Sequence, residues 1–500
     1  MKVYWGDLHN HCAVSYGQGT AERALDNARQ HLDFCSITGH AFWPDMPMDL
    51  SSQNAIIGMH LGGFAKLQHF WPDLLRTLER YNEPGRFLTL PSYEWHSLRF
   101  GDYNCYSPNF DLPLMDAPDL PSLAARVAEG RRDFFLLPHH CGYTQGFRGT
   151  NWDSFDESIS PLAEIYSNHG CGEADDAPYD YYHSMGPRTG ESLIRGALAS
   201  GHRFGFYAST DSHDGYPGHY GHGKVGVIAE KLEMPAIWEA LAARRTIAST
   251  GARIIVHFTA GEGGPGQTIR RRARHPLAAT IEGAAPLESI ELIEGGDGSW
   301  RRTQLPGPVF EQTFTPGRYK VRIEVGWGRG NQRSIWRIRG RIIQGRLLAV
   351  EPCFRFSGES TSHVSTEKVV IQGGQSFDWR AQAAANPAGA MGGTHFNTGG
   401  TQSIVLDLLP NQRCRLQLEL GDERHDLRIA DLARGSFARQ IAGFGSPAFK
   451  VHRAIPEREF ACTVALPRYR PYLAKGRSFA YLRIRQTDGH AAWVSPIWFE

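Results

Sequence analysis

Up to about Val256, apolar residues come in short runs separated by longer stretches with helical spacing. The runs Phe34 to Thr38, Phe87 to Leu90, Phe134 to Leu137, Ala163 to Tyr166 and Phe204 to Ala208 have the length and composition of buried strands. Between them, Thr20 to Leu32 places Ala21, Ala24, Leu25 and Ala28 on one helical face behind a Thr20 cap, and Glu233 to Arg245 reads the same way. This alternation predicts a parallel sheet with crossover helices. Beyond Val256 the texture changes to short alternating strands, among them Ser289 to Ile293, Tyr319 to Val325, Ile404 to Leu408 and Arg415 to Leu420, broken by Gly and Pro turns. The expectation is therefore an α/β unit over residues 1–256 and an all-β unit over 257–500, the latter open to division into two subdomains. Gly261 to Pro276, with Arg270, Arg271, Arg272 and Arg274, reads as a linker or exposed hairpin. No aromatic residues interleave with those arginines, which argues against a nucleic-acid patch.

Composition narrows the function classes. A hydrophobic share of 41% supports packed interiors for two or three domains. Lysine and arginine total 53 against 52 acidic residues, so no broad field steers nucleic acid or an anionic membrane, and any anionic ligand must be held locally. No stretch approaches the roughly 20 apolar residues of a membrane span, and Met1 to Asp7 has no apolar leader, so a soluble cytoplasmic protein is expected. Eight cysteines form no C-x-x-C pair and read as reduced thiols, Cys12 as a core residue rather than a ligand.

Histidine placement is the sharpest signal. Of 22 histidines, 15 precede Val256, and several follow a predicted strand directly, where the βα loops of a barrel converge. His9 and His11 follow Val3 to Trp5, His40 follows Phe34 to Thr38, and Glu94 follows Phe87 to Leu90. His139 and His140 follow Phe134 to Leu137, His169 lies past Ala163 to Tyr166, and Asp211 and His213 follow Phe204 to Ala208. In extended chain, His9-Asn10-His11 sends both imidazoles to one side, and Asp211-Ser212-His213 repeats the geometry. Imidazole and carboxylate suit zinc, manganese or iron, and about eight ligands imply two or three ions, with Glu94 able to bridge. His31, His60, His69, His183, His202, His219 and His222 are read as background.

Taken in order, Trp5-Gly6-Asp7-Leu8-His9-Asn10-His11, Ile37-Thr38-Gly39-His40, Tyr93-Glu94-Trp95, Pro138-His139-His140, Glu164 to Gly170 and Ser209-Thr210-Asp211-Ser212-His213 resemble the polymerase and histidinol phosphatase (PHP) superfamily. The tail, Tyr481 to Gly489 and Ala492 to Trp498, is similar to a large branch of that superfamily with a β-rich C-terminal half. The resemblance implies a distorted seven-stranded β/α (TIM-like) barrel, followed here by a β-sandwich-like region. It also implies up to three divalent metals and a metal-bridging hydroxide that attacks a phosphate ester. Carried over, His9, His11, Glu94 and Asp211 would hold one ion, and His40, His139, His169 and His213 would complete the others. The pattern departs at Gly39, where the superfamily often has Asp, and after Glu94, where Asp102 stands in place of a histidine and is taken as a ligand. Between His139 and His140 the former is favoured as ligand.

On this reading the chain is a phosphoesterase, with Glu94 and Asp211 central and His40 or His140 protonating the leaving group. Arg148, Arg188 and Arg195 are candidate anion clamps, with an ordinary surface arginine the favoured role for each. The aromatics Trp5, Tyr16, Phe42, Trp43, Trp95, Tyr143, Tyr166 and Tyr216 are expected near the mouth, either favouring a small anionic substrate with an apolar or sugar portion or packing the barrel rim. Neither nucleic acid nor membrane is an expected partner, and a homo-oligomer stays open. Two alternatives stand beside it: hydrolysis of a non-phosphate ester, lactone or amide, and a non-catalytic metal-binding module whose β half binds a partner.

Overall fold

The computed structural model describes residues 1–48, 54–130, 133–181, 187–188, 190–308, 310, 314–327, 333–357, 368–384 and 401–500. The predicted change of texture is present, and strands dominate over helices. The first part contains β1 (Lys2–Asp7), α1 (Ala21–Ala28), β2 (Phe34–Phe42), α2 (Asn54–Tyr81), β3 (Leu88–Trp95), β4 (Asp102–Tyr106), α3 (Leu120–Gly130) and β5 (Phe135–His139). It continues with β6 (Leu162–Ser167), β7 (Gly170–Cys171), α4 (Ile194–Ala199), β8 (Gly205–Ala208), β9 (Lys224–Ala229), α5 (Met234–Ala242) and β10 (Thr246–Ser249).

The sheet is mixed rather than parallel. β1, β2 and β3 are parallel neighbours, but β4 runs antiparallel to both β3 and β5, and β9 runs antiparallel to both β1 and β10. β6 and β8 pair in parallel in a separate small sheet with β7. Among the described residues the ladder thus breaks between β5 and β6 and again between β8 and β9, and no closed barrel forms. The β4 hairpin was not foreseen because Gly101 to Asn104 contains no apolar run. Its strand is buried on both faces, so it shows no polar alternation.

Local chemistry accounts for the helices. The Thr20 hydroxyl accepts the Arg23 N–H at 3.2 Å, and Ala21, Ala24, Leu25 and Ala28 face the core, so α1 begins as expected and ends short of Leu32. The longest helix, α2, buries Phe64, Leu67, Trp71, Leu74 and Leu78 against β2 and β3, while Pro72 stays on the exposed side. This helix explains Gly39. A Cβ at that position would lie 2.4 Å from Leu67 Cδ1, so residue 39 faces α2 while its neighbour His40 faces the opposite side of the strand. An acidic side chain there would be buried against a helix rather than beside the histidines.

The β-rich part is not a separate appendage. Ala491–Val494 pairs with β10, and Ser478–Gln486 and Ile497–Phe499 extend the same 13-stranded sheet. Thr268–Ile269, within the stretch read as a linker, pairs with Trp498 and Phe499, and Arg271 donates to backbone carbonyls around it. A second core, containing Tyr319, Val321, Trp379, Leu406 and Leu416, fills the nine-stranded sheet built from Tyr319–Trp327, Arg333–Cys353, Ser376–Ala384 and Gln402–Leu420. All eight cysteines are free, and Cys12 is fully buried.

Candidate metal centre

Strand register assembles the site. His40 on β2 is the register partner of Glu94 on β3, and Asp102 on β4 is the partner of His139 on β5; Glu94 itself lies opposite Asn104, so the second pair stands two residues further along the ladder. Those residues lie within the strands, not after them as expected. Asn10 bridges Ser212 in parallel, with the Asp211 N–H donating to the His9 carbonyl at 2.7 Å and the His11 N–H to the Ser212 carbonyl at 2.9 Å. The two predicted extended triplets therefore lie side by side. Asp7 anchors this junction: its carboxylate accepts backbone N–H groups of His9, Thr210 and Gly218 and the Thr210 hydroxyl.

Glu94 is the hub. Its Oε2 is buried with no hydrogen-bond partner among the described residues, yet it stands 3.6 Å from His9 Nε2, 3.5 Å from His11 Nε2 and 3.4 Å from His40 Nε2. Its Oε1 lies 2.9 Å from His139 Nε2 and 3.3 Å from His96 Nδ1. On the other side, Asp211 Oδ1 lies 3.0 Å from His11 Nε2 and 3.3 Å from His9 Nε2. Its Oδ2 lies 2.8 Å from both His140 Nε2 and His169 Nε2. His213 stacks on His11 with ring centroids 4.2 Å apart and forms a group with His11 and His40 whose ligand atoms all fall within 4.8 Å. All nine expected ligands converge.

The spacing suits metal binding. Two ligands of one tetrahedral ion at about 2.1 Å each stand about 3.4 Å apart, longer than a hydrogen bond and close to the Glu94–imidazole separations. The protonation states also fit. Burial alone would raise the Glu94 carboxyl, but His96, His40 and His139 outweigh it and hold the group well below the usual carboxylate range. Burial is likewise overcome at Asp211 by His9 and His169, and at Asp102 by Arg148 and His96. Burial pushes His11, His40 and His140 downward and His213 to about 3. His9 goes the other way: Asp211 and Glu164 outweigh burial and raise it, and a cation seated between these groups would displace that proton.

Several contributors lie outside the expected set. His96 lies two residues beyond Glu94, and the period of an extended strand is the signal that should have exposed it. Glu164 on β6 accepts the His9 Nδ1–H at 2.9 Å, which turns Nε2 toward the cluster. The Ser15 hydroxyl contacts His40 Nδ1 at 3.1 Å. His60, assigned to the background, reaches the rim from α2, edge-on to Trp43 at 4.9 Å and to Tyr16 at 5.1 Å. The background reading of His183 falls outside the described residues.

Other expectations are corrected. Trp5 and Trp95 pack in hydrophobic cores, not at the mouth, whereas Tyr16 stacks on His40 at 3.5 Å and Tyr143 contacts His169 at 2.8 Å. None of the three arginines offers an uncommitted clamp. Arg148 is buried, donates to both Asp102 oxygens and to His96 Nδ1, and lies over Trp43. Arg188 donates to the carbonyls of Cys171, Asp175 and Tyr179, and Arg195 is tied to Glu173 and Asp176. Three non-glycine residues at the site, His140, Arg148 and Asp211, have φ of 55°, 72° and 48°. Such left-handed strain persists where the surroundings over-determine a conformation.

No model of a known protein family matches the chain. It is 30% identical over 170 residues to an uncharacterized protein of Chlamydia muridarum (strain MoPn / Nigg), covering 30% of this chain and 27% of that protein. The same figures hold for an uncharacterized protein of Chlamydia trachomatis serovar D. An uncharacterized protein of Chlamydia pneumoniae is 23% identical over 256 residues, covering 45% of this chain and 40% of the relative. The chain therefore spans well under two thirds of the relatives it matches. Among the described residues no helix is long and apolar enough to cross a membrane.

Proposed function

We propose that this chain is a metal-dependent hydrolase of the PHP type, acting on a phosphate ester. The observation that carries the reading is the buried, unpartnered Glu94 Oε2 facing three imidazole Nε2 atoms at 3.4–3.6 Å. A buried carboxylate oxygen without a donor is costly unless a cation takes that place. On this reading His9, His11, Glu94 and Asp211 hold one of two or three zinc, manganese or iron ions. His40, His96, Asp102, His139, His169 and His213 complete the remainder. The strands around them are read as a distorted seven-stranded β/α barrel opened at two seams.

When bound, the ions supply a Lewis acid for the scissile bond and a nucleophile from water near neutral pH. The chain's own groups do the rest. Glu164 fixes the His9 ring, Ser15 fixes His40, and Asp7 holds the two ligand triplets in register. For the leaving-group proton, the contacts support His140 over His40. Its Nδ1 faces Asp102 at 2.7 Å, and Arg148 pins that carboxylate. His40 is instead enclosed between Ser15, Glu94 and the Tyr16 ring.

The engagement of Arg148, Arg188 and Arg195 favours a second reading, hydrolysis of a carboxylic ester, lactone or amide, which needs no cationic clamp. Assays of metal-loaded protein on phosphomonoesters, phosphodiesters, carboxylic esters, lactones and amides separate the two. Glu94→Gln is expected to remove at least about three orders of magnitude of turnover while leaving the protein folded. Turnover confined to carbonyl substrates would overturn the phosphoesterase reading, and undiminished turnover in the variant would overturn the role of Glu94.

A further inference from the structure

The near-zero net charge conceals a local concentration on the β-rich part. In the Arg333–Cys353 strand the burial alternates, so Arg333, Ile335, Arg337, Arg339 and Arg341 project to solvent, while Trp336, Ile338 and Ile342 enter the core. On the neighbouring Ser376–Ala384 strand, Arg380 is also exposed and is the direct register partner of Arg337. Like charges directly opposite each other destabilise a sheet. Arg339 has a partner in Asp378 at 3.5 Å, but among the described residues no ion pair or hydrogen bond engages Arg333, Arg337, Arg341 or Arg380. The result is a cationic stripe about 27 Å long, with side chains about 7 Å apart along the strand, bordered on the Gln402–Leu420 strand by Glu419 opposite Arg339 and Gln417 opposite Arg341. Ile335, 73% exposed, stands within it.

We propose that this face docks on the anionic surface of a lipid bilayer. Four unneutralised arginines reach the number that marks anionic-lipid recognition, and an exposed aliphatic side chain among them can enter the headgroup boundary. The alternatives fit less well. Trp336, Phe377 and Trp379 turn inward, so among the described residues the face offers no ring on which bases could stack and presents no helix to a duplex groove. The proposal is independent of the chemistry at the histidine cluster.

Co-sedimentation of the whole protein with vesicles tests it, comparing phosphatidylcholine alone with phosphatidylcholine containing about 30 mol % phosphatidylglycerol. The expected result is pelleting with the anionic vesicles only, lost when salt is raised to about 0.5 M. The double variant Arg337→Glu with Arg341→Glu is expected to weaken binding more than about tenfold. Arg337→Glu alone replaces the repulsion with Arg380 by an attraction, so its melting temperature should not fall while its vesicle binding does. That divergence separates a docking role from a structural one. Equal pelleting with both vesicle types, no pelleting, or full binding by the double variant would overturn the proposal. So would arginine-dependent retention of a duplex oligonucleotide without vesicle binding.

Discussion

At the scale of single residues, one carboxylate and the rings around it decide what the cluster can do. Glu164 touches no cluster oxygen but sets the direction of His9 through the 2.9 Å contact to Nδ1, and such outer partners typically tune metal affinity by about 10–100-fold. Glu164→Gln should therefore weaken metal binding by that order in a chelator competition titration. An unchanged affinity would remove Glu164 from the site. Gly39 makes the opposite kind of claim. Because a Cβ there meets Leu67 at 2.4 Å, Gly39→Asp should destabilise the protein by at least about 1–3 kcal/mol in urea unfolding and add no metal equivalent. A stable variant with extra bound metal would show that residue 39 does face the cluster. A glycine at residue 39 is thus a packing choice imposed by α2.

Elements explain what could and could not be read from the chain. The H-x-H and D-x-H triplets were legible because extended chain has a fixed period of two, and the Asn10–Ser212 bridge pairs them as that period allows. By the same rule His96 belongs with Glu94, but the apolar run ends at Leu90 while the strand continues to Trp95. β4 escaped because a doubly buried strand rich in Asn, Cys and Tyr has no alternation to betray it. His60 escaped because α2, not a strand, brings it to the rim. α1 was legible from its cap, and Thr20→Ala should cost about 1 kcal/mol in thermal or urea unfolding. No loss would mean that the 3.2 Å contact contributes nothing to the helix start.

For the whole molecule, the boundary expected near Val256 marks a change of texture but not a break in structure. Glu173, just past β7, accepts the Tyr481 hydroxyl at 2.7 Å, Arg483 Nη1 at 2.7 Å, the Trp493 indole N–H at 2.9 Å and Arg195 Nη2 at 3.2 Å, all buried. Burial opposes its ionisation, but Arg483 and Arg195 win and lower its pKa. A lowered folded-state value means that this carboxylate contributes stability above its unfolded value of about 4.3, and that the contribution is lost as pH falls through the folded value. Glu173→Gln should therefore cost about 3–5 kcal/mol near pH 7, by leaving buried arginines unpaired, and should flatten the acid limb of the stability profile. A variant as stable as the parent at pH 7 would contradict this. Removing the residues after about 260 should likewise yield no folded N-terminal half, since β10 loses Ala491–Val494 as its neighbour. The central claim, however, is the metal cluster, and elemental analysis of protein purified without chelators tests it most directly. The account predicts two to three equivalents of zinc, manganese or iron, falling sharply in the double variant His9→Ala with His11→Ala. Less than one equivalent, unaltered by the double substitution, would contradict it.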